Sequence, residues 1–146
     1  MTTRKELLPG VFLTAVQDGR FKTACFSLSF LRPLRAGEAA MNALLPSVLL
    51  RGSEKTPSIR AIAARLDELH GASVGALVRK KGEIQLTGVF ADCLEDRYAG
   101  EAVFSQLLDF VSELLFCPRT ENGAFIPELV RQERENLQNA MRGVLD

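Results

Sequence analysis

The chain has 146 residues, a length that suggests one domain and is sufficient for a real apolar core. Its 18 basic and 18 acidic residues balance to a formal net charge of zero, which gives no electrostatic reason to expect nucleic-acid binding. No segment is long and apolar enough to span a membrane, and residues 1–10 lack the apolar stretch of a signal peptide. We therefore expect neither nucleic acid nor a membrane among the binding partners.

Three cysteines, Cys25, Cys93 and Cys117, are an odd number without a C-x-x-C spacing. This usage favours reduced, mostly buried thiols of a cytoplasmic protein over a disulfide framework. A catalytic cysteine would need a histidine as its base, and His70 is the only histidine in the sequence. The cysteines therefore predict a location rather than an activity.

Two strands are predicted at the beginning of the chain. Residues 10–16 are apolar and partly β-branched, which is typical of a strand. In the next segment Phe26, Leu28 and Phe30 alternate with Ser27 and Ser29, and this period of two predicts a half-buried strand.

Two helices follow. Residues 39–50 are apolar on nearly every side, so a helix there should be enclosed by protein, and Pro46 should kink or interrupt it. Thr56 and Pro57 have the residue types of a helix cap and a first helical residue, and Gly71 is a suitable end for this second helix.

A β-hairpin is predicted next, with strands at residues 73–78 and 84–90. The residues between them include Lys80, Lys81 and Gly82, and we interpret the basic run 79–81 as a solvated hairpin loop. In the second strand Ile84, Leu86 and Phe90 alternate with polar residues, which predicts an apolar face.

Two further helices close the sequence. Apolar residues at helical spacing over 103–115 predict a long amphipathic helix, which Pro118 and the polar residues 120–123 end. The last helix should begin near Phe125 or Ile126 and continue to Asp146 without a stop signal. One of its faces carries Val130, Glu133, Leu137, Ala140 and Val144.

The predicted order ββααββαα indicates an α+β domain over residues 1–146, with hairpin-linked strand pairs in an antiparallel sheet covered by helices. Because the last helix has no stop signal, we expect the chain to be the N-terminal part of a longer multi-domain protein.

Few residues have the character of a catalytic or metal site. A single histidine excludes a two-histidine metal site, and the acidic neighbours of His70, Asp67 and Glu68, do not converge with it on one helix face. No phosphate-binding glycine loop is present. Glu133 is a weak catalytic candidate because it lies on the apolar stripe of its helix, where an ion-pair role is the more frequent explanation.

The segment 43–53, which reads ALLPSVLLRGS, resembles part of the pitrilysin/insulinase family of zinc peptidases. In that family H-x-x-E-H continues into apolar residues, a basic residue, glycine and serine or threonine. The segments LDELHGA at 66–72 and LFCP at 115–118 also occur in the family's order. The resemblance extends over essentially the whole chain and implies a metallohydrolase-like N-terminal domain.

The zinc motif itself is missing. Ala43 and Ser47 occupy the positions of the two histidines, and Pro46 occupies that of the glutamate. If Glu133 matches the first glutamate of the family's later helix, Ala140 occupies the position of the third zinc ligand. The resemblance is therefore to the non-catalytic bacterial branch of the family, and it implies no metal and no cofactor.

Three functions are compatible with this pattern. The first is a catalytically inactive subunit that pairs with an intact zinc-peptidase homologue and holds extended peptides. This would be similar to the mitochondrial processing peptidase, in which a subunit without the motif helps to bind substrate. The second is an active metallopeptidase or hydrolase with a non-standard site that uses Glu133. The third is a structural homo-oligomer, such as a homodimer, without a peptide role.

Overall fold

A computed structural model describes residues 1–145 and the side chains of residues 1–143. Within this part, the chain forms seven strands and five helices. Their bounds, in chain order, are β1 Thr2–Leu8, β2 Val11–Val16, β3 Thr23–Pro33, α1 Ala36–Leu49, α2 Ile59–Glu68, β4 Ser73–Lys81, β5 Ile84–Leu94, α3 Asp96–Ala99, α4 Val103–Phe116, β6 Thr120–Glu121, β7 Ala124–Phe125 and α5 Pro127–Leu145. The predicted α+β class with an antiparallel sheet is confirmed. The order differs from ββααββαα because β1, α3, β6 and β7 were not predicted.

Three strands form the main antiparallel sheet, in the spatial order β3-β5-β4. β4 and β5 form the predicted hairpin, and Gly82 takes a φ of 58° in the two-residue turn between them. The basic residues 79–81 are exposed but belong to β4 rather than to a loop. The predicted pairing of the first two strands is wrong, because β2 pairs with β1 in a separate two-stranded sheet, here called the N-terminal hairpin, and β3 pairs with β5.

The core lies between one face of the main sheet and helix α4. The buried residues of β5 alternate along the strand and are Gln85, Thr87, Val89, Ala91 and Cys93. The buried residues of α4 recur at helical spacing and are Val103, Leu107, Phe110, Val111 and Leu114. Full burial of an aliphatic side chain of this size stabilises the fold by about 1.5–3 kcal/mol, so the strand and helix hold each other in place.

Gln85 fastens helix α1 to the same face of the sheet. Its Nε2 donates to the Ala39 carbonyl at 2.8 Å, and Asn42 Nδ2 donates to its Oε1 at 3.3 Å. Gln85 is 5% exposed. These two hydrogen bonds give its buried amide partners, and without them the lost solvation of this polar group would destabilise the fold.

The opposite face of the main sheet is open in the part of the chain that the structure describes. Ile84, Leu86 and Phe90 share this face, as their alternation predicts, but Ile84 and Phe90 remain 37% and 42% exposed. Leu31 of β3, opposite Leu86, is 68% exposed. The face of β5 with the larger apolar side chains is therefore the uncovered one, because Gln85 and Thr87 lie against the helices.

Helix α1 differs from its prediction in two ways. It begins at Ala36 and continues through Pro46, so the predicted interruption at this residue is wrong. Its outer surface is not enclosed, since Met41 and Leu45 are 67% and 44% exposed.

Helix α2 is capped by Ser58, whose hydroxyl accepts a hydrogen bond from the Ala61 amide at 3.2 Å. Thr56, the predicted cap, instead donates to Glu113 at 3.2 Å. A serine two residues later in the chain offered the same capping chemistry, and local sequence did not distinguish the two.

The remaining differences are small. Helix α5 begins at Pro127 rather than at Phe125 or Ile126, because β6 and β7 form a short hairpin immediately before it. Cys93 is buried, whereas Cys25 and Cys117 are exposed, so the prediction of mostly buried thiols is wrong. Asp146 and the side chain of Val144, which the sequence placed in the last helix, lie outside the described residues.

Candidate functional site

The positions that the resemblance assigns to the zinc histidines lie on one face of α1. Ala43 and Ser47 are one helical turn apart, and Arg51 follows one further turn along, just beyond the helix end. All three residues are half-buried. The guanidinium of Arg51 pairs with Glu133 of α5, so this face of α1 points toward the helix that carries the proposed third ligand position.

Glu133 is an enclosed ion-pair partner. Its Oε1 accepts from Arg51 and also from Asn136 Nδ2, the latter at 3.1 Å. The side chains of Arg51 and Glu133 are 20% and 10% exposed, which makes the pair far less solvated than the other ion pairs of α5. The pair holds α5 against the end of α1.

Pro46, which the resemblance places at the position of a catalytic glutamate, is buried in α1. It lines a small apolar groove between α1, the sheet and α4, with Phe30, Leu45, Leu49 and Leu115 among its neighbours. A pyrrolidine ring has no group that takes or gives a proton. The surroundings of this position are hydrocarbon, which is unfavourable for an ionised base.

Ala140 lies two helical turns beyond Glu133 on α5 and is solvent-exposed. Its neighbours from 138 to 143 are exposed as well. The position that the resemblance assigns to the third ligand therefore lies on an exposed part of α5.

The residues at these four positions do not fit a zinc ion. Zinc in peptidases is held by imidazole nitrogens and carboxylate oxygens, and alanine and proline side chains offer no such atom. The hydroxyl of Ser47 is the single polar side-chain group in the set. Among the side chains that the structure describes, no cluster of three or more histidine, cysteine or acidic residues is arranged to hold a metal.

The glycine and serine that follow Arg51 form a junction between α1, α2 and α4. Ser53 is completely buried and donates to the Glu113 carboxylate, while its hydroxyl accepts from the Thr56 amide at 2.8 Å. A Cβ on Gly52 would lie 3.0 Å from the carbonyl carbon of Pro57, so the close approach of the two backbones favours glycine here. The part of the sequence that most resembles the family thus has a structural role.

His70 lies apart from these residues, at the end of α2. It takes a left-handed φ of 58°, and its Nε2 lies 2.7 Å from Glu101 Oε1. The hydrogen bond from His70, followed by that from Gln106, lowers the pKa of the Glu101 carboxyl below its ordinary value. Both residues are exposed, so this pair is a surface contact between α2 and the segment before α4.

Sequence reasoning singled out Glu133 and the four positions that the resemblance assigns, but it did not find the partners of Glu133. Arg51 could have been found, because it continues the four-residue spacing of Ala43 and Ser47. Asn136, one turn beyond Glu133, gives no comparable signal, since a single polar residue on a helix surface does not indicate its partner.

No family model matches the chain. Over 139 residues it is 32% identical to the protein named Probable inactive metalloprotease YmfF of Bacillus subtilis (strain 168), a match that spans 94% of this chain and 33% of that protein. The chain is a homologue of a metallopeptidase-like protein named as inactive.

A solved structure extends the likeness to three dimensions. The crystal structure of a conserved protein from Enterococcus faecalis V583 matches with a TM-score of 0.90 and 28% identity, over 99% of this chain and 34% of that one. This homologue spans about one third of the length of both proteins. In the described residues, no helix combines the length and apolar character needed to cross a membrane.

Proposed function

We propose that the chain is a catalytically inactive member of the pitrilysin/insulinase family that binds substrate as one subunit of a heterodimeric peptidase. Its partner would be an intact zinc-peptidase homologue that carries H-x-x-E-H. The observation that carries the proposal concerns one face of α1. Ala43, Pro46 and Ser47 on this face provide neither zinc ligands nor a catalytic base, while α1 still packs against α5.

The proposed ligand is a peptide in extended conformation. The main sheet has the order β3-β5-β4, so β3 and β4 each leave one edge unpaired among the described residues. Such an edge can accept a peptide by strand addition, in which backbone hydrogen bonds supply affinity for many sequences. The chain would serve as the N-terminal domain of a longer subunit in the cytoplasm, the compartment that its unpaired thiols favour.

Measurement of bound zinc tests the proposal that the chain is catalytically inactive. The purified, untagged chain should hold less than about 0.1 zinc per molecule, because a site without imidazole or carboxylate donors has little affinity. A variant with Ala43→His, Pro46→Glu, Ser47→His and Ala140→Glu should gain about one zinc per molecule if α1 and α5 keep the family's geometry. The same variant without Ala140→Glu is the matched control and should bind zinc more weakly. Stoichiometric zinc in the unmodified chain would contradict the proposal.

Binding measurements test the partner and the peptide. Co-expression with an intact homologue should give a 1:1 complex by size-exclusion chromatography with light scattering. A fluorescent extended peptide should bind the complex, and its backbone N-methylated form should not, because strand addition needs the peptide N–H donors. If the chain forms a homodimer and no complex with the intact homologue, the result would instead support a structural role.

The alternative of a hydrolase with a non-standard site would require Glu133 as an acid or base. Its Oε1 already accepts two hydrogen bonds, from Arg51 and Asn136. Peptide hydrolysis by the chain alone that disappears in Glu133→Gln, with the fold unchanged by circular dichroism, would favour the alternative over the inactive subunit.

A further inference from the structure

Strand β2 of the N-terminal hairpin is apolar on both of its faces. Val11, Phe12, Leu13 and Val16 are 48%, 51%, 53% and 71% exposed. Because successive residues of a strand point to opposite faces, Phe12 and Leu13 place an apolar side chain on each side of the hairpin. Strands of this kind are typical of sheets that are covered on both faces.

Strand β1, by contrast, is polar over most of its length. Thr2, Thr3, Arg4, Lys5 and Glu6 all pair with residues of β2. Charged residues along a strand are typical of the outer edge of a sheet. In the described chain the other edge of β2 is unpaired. The hairpin therefore combines a strand suited to a sheet edge with one suited to a sheet interior, and the latter has a neighbour on one side only.

The hairpin is also separate from the body of the described chain. Every residue of β1 and β2 is exposed, and no other helix or strand packs extensively against either. The connection to β3 is itself held to the body, since the Glu95 amide donates to the Lys22 carbonyl at 2.9 Å and Arg97 donates to the Gly19 carbonyl at 3.4 Å. If the hairpin folded back onto the body, these contacts of the connecting segment would have to be kept or broken.

We infer that β2 is an inner strand of a larger sheet. The rest of that sheet is formed by polypeptide that corresponds to the two thirds of the Bacillus and Enterococcus proteins outside the matched region. That polypeptide supplies a strand to the free edge of β2 and apolar side chains to both of its faces. The Bacillus and Enterococcus proteins are each about three times the length matched here, which provides enough chain for both tasks. A second copy paired β2 to β2 would cover the edge but leave Phe12 and Leu13 in water.

A chimera in which this chain replaces the matching third of the Enterococcus protein tests the inference. The TM-score of 0.90 over 99% of the chain makes the replacement geometrically conservative. Hydrogen exchange at the amides of residues 11–16 should be at least about 100-fold slower in the chimera than in the chain alone, because a second neighbouring strand protects them. Exchange at β5, which is already paired on both sides, should change much less.

Two variants separate docking from hairpin stability. Leu13 and Lys5 lie opposite each other in the hairpin, and threonine suits either strand. Leu13→Thr should accelerate exchange at β2 in the chimera, whereas Lys5→Thr, the matched control, should have little effect. Neither should alter the exchange of the chain alone.

Fast exchange at β2 in a folded chimera would overturn the inference, and so would protection in the chain alone that rises with its concentration. If the chimera does not fold, the remaining two thirds of the Enterococcus protein can be added as a separate polypeptide. Slower exchange at residues 11–16 would then support the inference, and unchanged exchange would overturn it. None of these outcomes depends on zinc, on hydrolysis or on the heterodimer.

Discussion

Arg51 and Glu133 form a mostly enclosed ion pair that joins the end of α1 to α5. Both side chains are mostly buried, and each has an opposite charge within ion-pair distance. An ion pair in such surroundings adds little net stability compared with apolar residues, but removal of one partner leaves a charge without compensation. The pair therefore acts mainly to specify how α5 meets α1.

We expect Glu133→Ala to lower the free energy of unfolding by about 2–4 kcal/mol, because the Arg51 guanidinium would remain half-buried without its partner. The matched control is Glu135→Ala on the same helix, whose carboxylate is 52% exposed and pairs with Arg131 at 2.6 Å. That variant should cost less than about 0.5 kcal/mol. Urea denaturation measures both, and equal losses would show that the burial of the Arg51 pair is unimportant.

The three thiols should differ in reactivity. Cys25 and Cys117 are exposed, while burial, and then the nearby Asp96 and Asp92, raise the pKa of the Cys93 thiol. A raised pKa reduces the reactive thiolate at neutral pH. A thiol-specific reagent should therefore label two cysteines in the native protein and the third at least about 100-fold more slowly. Cys93→Ser should leave the fast phase unchanged, and a fast phase of three thiols would contradict the burial of Cys93.

At the scale of elements, strand β5 organises the fold. It is the central strand of the main sheet and contacts both α1 and α4. Periodicity predicted this strand but not which of its faces is buried, because Gln85 and Thr87 are polar residues. The partners of Gln85 on α1, Ala39 and Asn42, are distant in sequence. The interruption predicted at Pro46 was also wrong: the local rule for proline predicts a kinked or interrupted helix, whereas α1 continues through this residue.

Gly88 provides a test of the sheet geometry. A Cβ at this position would lie 1.9 Å from the Leu28 carbonyl oxygen of the neighbouring strand. We expect Gly88→Ala to lower the free energy of unfolding by more than about 3 kcal/mol, since two backbones would have to separate. Gly37→Ala in the first turn of α1 meets no atom within 4 Å and should be neutral or stabilising by up to about 1 kcal/mol. Thermal denaturation distinguishes the two, and a tolerated alanine at position 88 would refute the close approach.

The contact between His70 and Glu101 should be visible in the titration of the carboxyl group. The hydrogen bond from His70 lowers the Glu101 pKa from the ordinary 4.5, so any stability from this contact is present above that pH and is lost as the pH falls through the lowered pKa. His70→Asn tolerates the left-handed backbone but removes the imidazole, and it should move the NMR titration midpoint upward. Gln106→Ala should produce a smaller upward shift, and a midpoint that does not respond to His70→Asn would contradict the assignment.

At the scale of the whole molecule, the described chain has a body with one covered sheet face and a hairpin attached at one end. Sequence patterns predicted the α+β class, because it depends on residue types at local spacings. They did not predict that β2 pairs away from β3, since strand pairing depends on the three-dimensional arrangement.

Deletion of residues 1–16 should change the melting temperature of the remaining chain by less than about 2 °C, because the hairpin contributes almost no packing to the body. A comparable deletion of the β6 and β7 residues 120–125 serves as a contrast, since it alters the connection that positions α5 beside α1. Calorimetry measures both. A loss of more than about 5 °C on removal of the hairpin would mean that it packs against the body in solution.

The N-terminal hairpin has a consequence for the timing of biosynthesis. Its residues leave the ribosome before the rest of this chain, and under the proposed arrangement their neighbours are made later still. At about 5–20 residues per second, a segment twice the length of this chain takes on the order of tens of seconds to synthesise. During that interval Phe12 and Leu13 are exposed on a strand with a free edge. Chaperones can bind this strand, and it can pair prematurely with the same strand of other nascent chains on one messenger RNA.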